Sequence, residues 1–248
     1  MAVSDRGPGP SVVWLVRHGE SMGNVADARA QQAGAGRLEL DIRDPDVPLS
    51  DTGRSQAEAL GRHLAALPED QRPTAALSSP FNRALTTAQL ATEKLSIRVR
   101  TDERLRERDF GAFDGMTGTG IREQFPDEAR CRDLLGKFYY RPPGGESWAD
   151  VLLRLRSLLR ELRQDHPGGR VLLFAHEATV LLVRYLAEHL SEEELMAVAR
   201  ETTVANTSVS SWRRMDGQFR PELFNHVEHL RRERVPPTKQ EDVNAEPL

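Results

Sequence analysis

Two histidines stand directly behind apolar runs. Val12-Val13-Trp14-Leu15-Val16 leads into Arg17-His18-Gly19, and Val171-Leu172-Leu173-Phe174 leads into Ala175-His176-Glu177. Such runs read as buried parallel strands, and open α/β sheets bind ligands just beyond the carboxyl ends of their strands. One histidine at a strand end is ordinarily structural, but two at matched ends of neighbouring strands would face the same crevice. Arg17 adds a planar fork that matches the oxygens of an oxyanion. Arg83 lies a few residues beyond Ser78-Ser79-Pro80, in the first turn of a predicted helix. A cation is unfavourable there in isolation, so its position implies an anion between it and the helix. Glu107 sits in a charged, glycine-punctuated stretch running from Leu105 to Gly115; from spacing alone it reads as a salt-bridge partner of Arg104, Arg106 or Arg108.

These residues need elements to carry them. Strands are predicted at about 11–16, 74–77, 97–100, 171–174, 209–215 and 218–224, the last two joined at Asp216-Gly217 as a hairpin. Helices are predicted over about 20–32, 50–67 with Ser50 as its cap, 80–94, 117–124, 127–135, 146–164 and 178–189. Leu152, Leu155, Leu158, Leu159 and Leu162 form a buried stripe on the sixth of these. The pattern predicts an α/β fold: a three-layer, doubly wound, mostly parallel sheet with helices on both faces. Residues 1–10 read as a flexible lead, 11–230 as a single domain and 231–248 as a disordered polar tail. The long loop at 33–48 reads as solvated; its acids Asp41, Asp44 and Asp46 lack the glycine and terminal Glu of a calcium loop.

At 248 residues the chain is long enough for one sizeable core, and its formal charge of −4 gives no reason to expect nucleic acid as a partner. The lone Cys131 cannot form an internal disulfide, and no apolar run approaches a membrane span. The expected compartment is the cytoplasm. Apolar helices would support a homodimer without specifying its face. His176-Glu177 lacks the second histidine of a zinc-protease helix, and His226 with His229 lacks a third metal ligand.

Several ordered blocks resemble the histidine phosphatase superfamily, which includes the cofactor-dependent phosphoglycerate mutases. They are Arg17-His18-Gly19-Glu20-Ser21 with Asn24, Leu49-Ser50-Asp51-Thr52-Gly53 with Gln56-Ala57, Ser79-Pro80 with Arg83-Ala84, Glu107 with Gly111 and Gly115, and His176. The resemblance implies a phosphoglycerate mutase-like fold and assigns roles. His18 would take a phosphoryl group on a ring nitrogen. Arg17, Arg83 and His176, with Asn24 and Ser21 in support, would hold the phosphoryl oxygens, so that arginine charge replaces a metal ion and no cofactor is needed. Glu107 would give a proton to the leaving oxygen and then take one from water.

Within the family the interval from Glu107 to His176 is shorter than a mutase requires, and Arg130 and Arg132 flank Cys131 without forming the mutase's arginine pair. The expected activity is therefore phosphomonoester hydrolysis on a small phosphorylated metabolite such as a sugar phosphate. A phosphoglycerate mutase and a non-catalytic phospho-ligand-binding protein are the alternatives. Residues from Gly111 to Ser147 resemble the bisphosphatase domain of the enzyme that makes and breaks fructose 2,6-bisphosphate. That likeness makes Lys137 and Tyr140 candidate substrate contacts, and it places Glu177, where the family has Gln, as an added negative charge beside an anionic substrate.

Overall fold

In the computed structural model, which describes residues 9–239, the run ending at Arg17 forms strand β1 (Val12–Arg17). It is hydrogen-bonded on both sides, and Val12, Val13, Leu15 and Val16 are buried. A strand covered on both faces has no solvent side to mark with polar residues, hence the continuous apolar run. There follow α1 (Met22–Ala33), α2 (Asp51–Ala66), β2 (Ala75–Ser78), α3 (Asn82–Thr92), β3 (Val99–Thr101), α4 (Gly118–Gln124), α5 (Pro126–Tyr139) and α6 (Trp148–Asp165). The chain continues through β4 (Arg170–Ala175), α7 (Glu177–Glu188), α8 (Glu192–Glu201), β5 (Val209–Met215), β6 (Gln218–His226) and α9 (Glu228–Arg232).

Among the described residues the strands form a six-stranded sheet in the order β3-β2-β4-β1-β5-β6. The first four are parallel, and β5 and β6 join antiparallel. Asp216 and Gly217 close that hairpin with positive φ at both positions (52° and 80°), as a two-residue turn matching strand twist requires. Side chains alternate along β4. Leu172 and Phe174 pack with Leu60, Leu64, Ala88 and Ala91 of α2 and α3, whereas Val171 and Leu173 pack with Leu155, Leu158, Val180 and Leu182 of α6 and α7. This is the expected three-layer, mostly parallel sheet with helices on both faces. No helix of the described residues is long and apolar enough to cross a membrane.

Three features depart from the sequence reading. Helices α8 and α9 were not foreseen, although Ser191 and Glu194 form a capping box at the start of α8. Helix α5 extends to Tyr139 across a kink at Gly136, whose φ of 74° only glycine adopts readily. The chain from 231 onward is not a disordered tail throughout: Gln56 Nε2 donates to the Pro236 carbonyl (3.0 Å) and to Thr238 Oγ1 (2.9 Å), and Thr238 Oγ1 donates to Asn206 Oδ1 (2.9 Å). These bonds fix residues whose polar, proline-containing sequence carries no hydrophobic signal. Residues 240–248 of that tail, and 1–8 of the N-terminal lead, lie outside the described residues. Gly9 and Pro10 are buried, with the Gly9 carbonyl accepting from Gly168 N (2.9 Å).

Candidate active site

The register of β1 against β4 pairs Arg17 with Ala175, so the next residues, His18 and His176, leave the sheet side by side. Their ring centroids are 5.2 Å apart and the planes are inclined by 62°. His18 Nδ1 lies 2.7 Å from the Gly19 carbonyl. A carbonyl can only accept, so Nδ1 carries the hydrogen and Nε2 keeps its lone pair. Burial, followed by the charges of Arg83 and Arg17, holds the His18 pKa well below the ordinary imidazole value. The ring is therefore held in its neutral form at physiological pH.

The loop carrying His18 rests directly on the start of α2. A Cβ placed on Gly53 would sit 2.0 Å from the Glu20 carbonyl oxygen, so only glycine permits this approach. Ser50 Oγ, which caps α2 by accepting from Gly53 N, also donates to Glu20 Oε1 (2.6 Å). Glu20 N in turn donates to Gln56 Oε1 (2.9 Å). The Leu49 to Gln56 block thus serves the site as a backbone platform rather than by contact with a ligand.

Arg17 is buried and donates to the Val204 carbonyl, and its Nη1 lies 3.3 Å from Glu177 Oε2. Glu177 Oε1 accepts from Val204 N (2.9 Å). Glu177 lines the cleft, but its charge is balanced by Arg17 and it braces that guanidinium. Glu177 therefore brings its carboxylate to the cleft paired with Arg17. Arg83 stands in the first turn of α3 as expected, almost wholly buried, and an anion does lie against it: Asp44. Arg83 Nη1 is 2.7 Å from the Asp44 carbonyl and 2.9 Å from Oδ1, and Nη2 is 3.2 Å from Oδ2.

His176 is fully buried. Its Nε2 is 2.8 Å from Ser79 Oγ, while Nδ1 has no hydrogen-bond partner and stands 3.7 Å from Glu107 Oε2. Burial, then Arg83 and His18, hold its pKa well below the ordinary value. Glu107 Oε1 accepts from Arg108 N (2.8 Å). Burial pushes the Glu107 carboxyl up to about 7; the Arg108 amide and Arg83 oppose the shift, and Asp44 adds to it. The loop that presents Glu107 is clamped by Arg154 of α6. Arg154 Nη1 donates to the carbonyls of Arg104 (2.6 Å) and Arg106 (2.9 Å), and Nη2 to that of Glu107 (3.1 Å). Glu146 balances Arg154 (3.1 Å) and also accepts from Arg106 (2.7 Å).

Arg17, His18, Ser21, Asn24, Arg83, Glu107, Lys137 and Glu177 line one cleft of about 340 Å³. Ser21 and Asn24 reach it through the capping box of α1, in which Asn24 N donates to Ser21 Oγ (3.1 Å) and Ser21 N to Asn24 Oδ1 (3.0 Å). Lys137 also stacks 4.8 Å above the Trp148 ring. Tyr140 is not in the cleft. It is buried with Phe113, Met116 and Ile121, and its hydroxyl donates to Glu128 Oε2 (2.8 Å), so its expected role as a substrate contact is withdrawn. Sequence reasoning missed Asp44, Ser79 and the pair Arg154 and Glu146. Ser79 stood beside a motif already singled out, whereas the other three carried no signal beyond charge. Among the described residues no three His, Cys, Asp or Glu side chains are grouped to hold a metal ion.

A probable fructose-2,6-bisphosphatase of Schizosaccharomyces pombe is 33% identical over 184 residues, covering 74% of this chain and 40% of that protein. The phosphoglycerate mutase-like protein AT74H of Arabidopsis thaliana is 34% identical over 168 residues, covering 63% and 54%. The chain thus spans about half or less of the length of these curated relatives. A 2,3-bisphosphoglycerate-dependent phosphoglycerate mutase of Gloeobacter violaceus is 28% identical over 226 residues, covering 89% and 94%. Among solved structures, a mycobacterial glucosyl-3-phosphoglycerate phosphatase superposes with a TM-score of 0.68 at 28% identity, covering 87% of this chain and 99% of that one. YhfR of Bacillus stearothermophilus gives 0.72 at 26%, covering 88% and 98%. The family profile matches residues 13–227, nearly the whole of the described fold, and the chain belongs to the histidine phosphatase superfamily, branch 1.

Proposed function

We propose that this chain is a phosphomonoesterase that works through a phosphohistidine intermediate on a small phosphorylated metabolite, a sugar phosphate or similar. The observation that carries the reading is the pairing of a neutral His18, its Nε2 lone pair free, with a Glu107 carboxyl whose pKa is raised to about 7. Nε2 attacks phosphorus as the ester P–O bond breaks, and Glu107 gives its proton to the departing oxygen. Arg17, Arg83 and His176 Nδ1 supply charge and hydrogen bonds to the phosphoryl oxygens as the transferred group loosens. Glu107, now a carboxylate, takes a proton from water as it attacks phosphorus. The N–P bond breaks, and inorganic phosphate leaves with His18 and Glu107 restored.

The match over nearly the full length of the Gloeobacter mutase keeps transfer to a second hydroxyl as the other reading. Phosphate release from a panel of sugar phosphates and phosphoglycerates, in buffer containing EDTA and with or without 2,3-bisphosphoglycerate, separates the two. Release without bisphosphoglycerate supports the phosphatase. Interconversion of phosphoglycerates without release establishes the mutase, and binding without either reaction leaves a phospho-ligand sensor.

A further inference from the structure

The guanidinium of Arg83 is already occupied. Every hydrogen bond described for it goes to Asp44, whose carbonyl and both carboxylate oxygens surround it at 2.7 to 3.2 Å, while the ring of Phe81 covers it at 5.1 Å. This is the position in which a phosphoryl group would be held under the function proposed above. Asp44 begins a single 3-10 turn (Asp44–Asp46) in the 33–48 loop. That turn has a second tether, from Asn82 Nδ2 to the Asp46 carbonyl (3.2 Å), independent of the Asp44 side chain. Asp46 faces away, paired with Arg43 (2.6 Å) at the surface.

We propose that Asp44 is a built-in competitor for the phosphate position on Arg83, so that a ligand enters by exchanging its phosphoryl group for this carboxylate. The exchange selects by charge. A phosphomonoester dianion brings more charge to Arg17 and Arg83 than the single carboxylate it replaces, whereas a phosphodiester or carboxylate monoanion meets an equal opponent. Asp44 thereby weakens binding of every anion but weakens monoanions to the point of exclusion. This rests on the reading of the cleft as a phosphate site, and calorimetry with inorganic phosphate tests it without requiring turnover.

Inorganic phosphate and dimethyl phosphate are titrated into the wild type, Asp44→Asn, Asp44→Ala and Asp46→Asn, with circular dichroism and melting to verify each fold. The Asp44 variants are expected to bind inorganic phosphate about tenfold more tightly, equivalent to ~1.4 kcal/mol, and to bind dimethyl phosphate that the wild type excludes. Asp46→Asn, with the same loss of loop charge, is expected to match the wild type. Folded Asp44 variants that bind phosphate no more tightly than the wild type overturn the proposal. Equal gains in Asp44→Asn and Asp46→Asn also overturn it, because they would reduce the effect to bulk charge. If calorimetry gives the expected order but no variant releases phosphate from p-nitrophenyl phosphate, the competitor stands and the phosphatase reading falls. Should the Asp44 variants not fold, hydrogen exchange of residues 35–48 in the wild type decides: faster exchange with saturating phosphate supports displacement, and unchanged exchange overturns it.

Discussion

Glu107 Oε2 faces His176 Nδ1 across 3.7 Å, a carboxyl raised to about 7 beside an imidazole held neutral. Neither group offers the other a full charge at neutral pH, so both retain their hydrogen-bonding capacity for a third party within reach of each. The acid form of Glu107 is the donor form. Transfer to an alkyl phosphate, whose leaving oxygen needs a proton, is therefore expected to be fast below about pH 7 and to fall as pH rises through it. With p-nitrophenyl phosphate, whose phenolate leaves without a proton, this alkaline limb should flatten. Glu107→Gln should slow alkyl phosphate hydrolysis by roughly 10²–10⁴, and kcat/KM profiles on the two substrates would check both points.

His18→Ala should abolish turnover while leaving the fold intact, because the ring's hydrogen bond reaches only the neighbouring Gly19 carbonyl. Rapid quenching with radiolabelled substrate should trap a protein-bound phosphate that survives alkali and is lost in acid, as expected of a phosphoramidate. Label retained by His18→Ala would place the nucleophile elsewhere.

Arg154 does not itself line the cleft, yet it gathers the carbonyls of Arg104, Arg106 and Glu107. Arg154→Met should let the Glu107 loop shift, lowering kcat by about 10² with little change in KM. Losing the bonds to Glu146, which keeps Arg106 at 2.7 Å, should also lower stability, by on the order of 2 kcal/mol. Steady-state kinetics beside urea denaturation would read the two effects separately, and an unchanged kcat would show that Glu107 is placed by other means.

On the far face, His229 is buried with Nε2 unpartnered, and burial together with His63 and His226 lowers its pKa from 6.5 to about 3. The unfolded chain binds a proton at His229 below pH 6.5 that the folded chain refuses until about pH 3. Stability should therefore rise with pH across that window and gain nothing from this residue above it. His229→Leu should reduce the slope by about 1.4 kcal/mol per pH unit relative to the wild type. Urea midpoints between pH 4.5 and 7.5 would measure this, and parallel curves for the two proteins would exclude it.

The strands and the two histidines were legible because burial on both faces forces a continuous apolar run, and the residue that ends such a run must emerge at the sheet edge. Arg83 was legible through charge, since a buried cation in a helix's first turn needs an anion. That the anion is Asp44 was not legible, because an acid in a long loop reads the same whether it faces solvent or an arginine, and the loop's path depends on Thr117 and Asn82, both well beyond it in the chain. Tyr140 was misread for a related reason. It follows the kink at Gly136, where α5 continues beyond the predicted end near 135, and that continuation brings its hydroxyl to Glu128. Ser191 and Glu194 did mark α8, and a reading attentive to capping boxes would have found it.

The two histidines follow residues paired across adjacent parallel strands, and such strands lie ~4.8 Å apart by backbone geometry alone. The backbone spacing of His18 and His176 is thus a ruler cut into the sheet, and it cannot change without breaking the ladder. Asp44 and Glu107 arrive instead on loops outside the ladder, held by side-chain bonds from Asn82 and Arg154. On the function proposed above, the molecule divides into a fixed receiver for the phosphoryl group and an adjustable frame for whatever that group is attached to. Substitutions in the frame can alter the clientele while the receiver keeps its gauge.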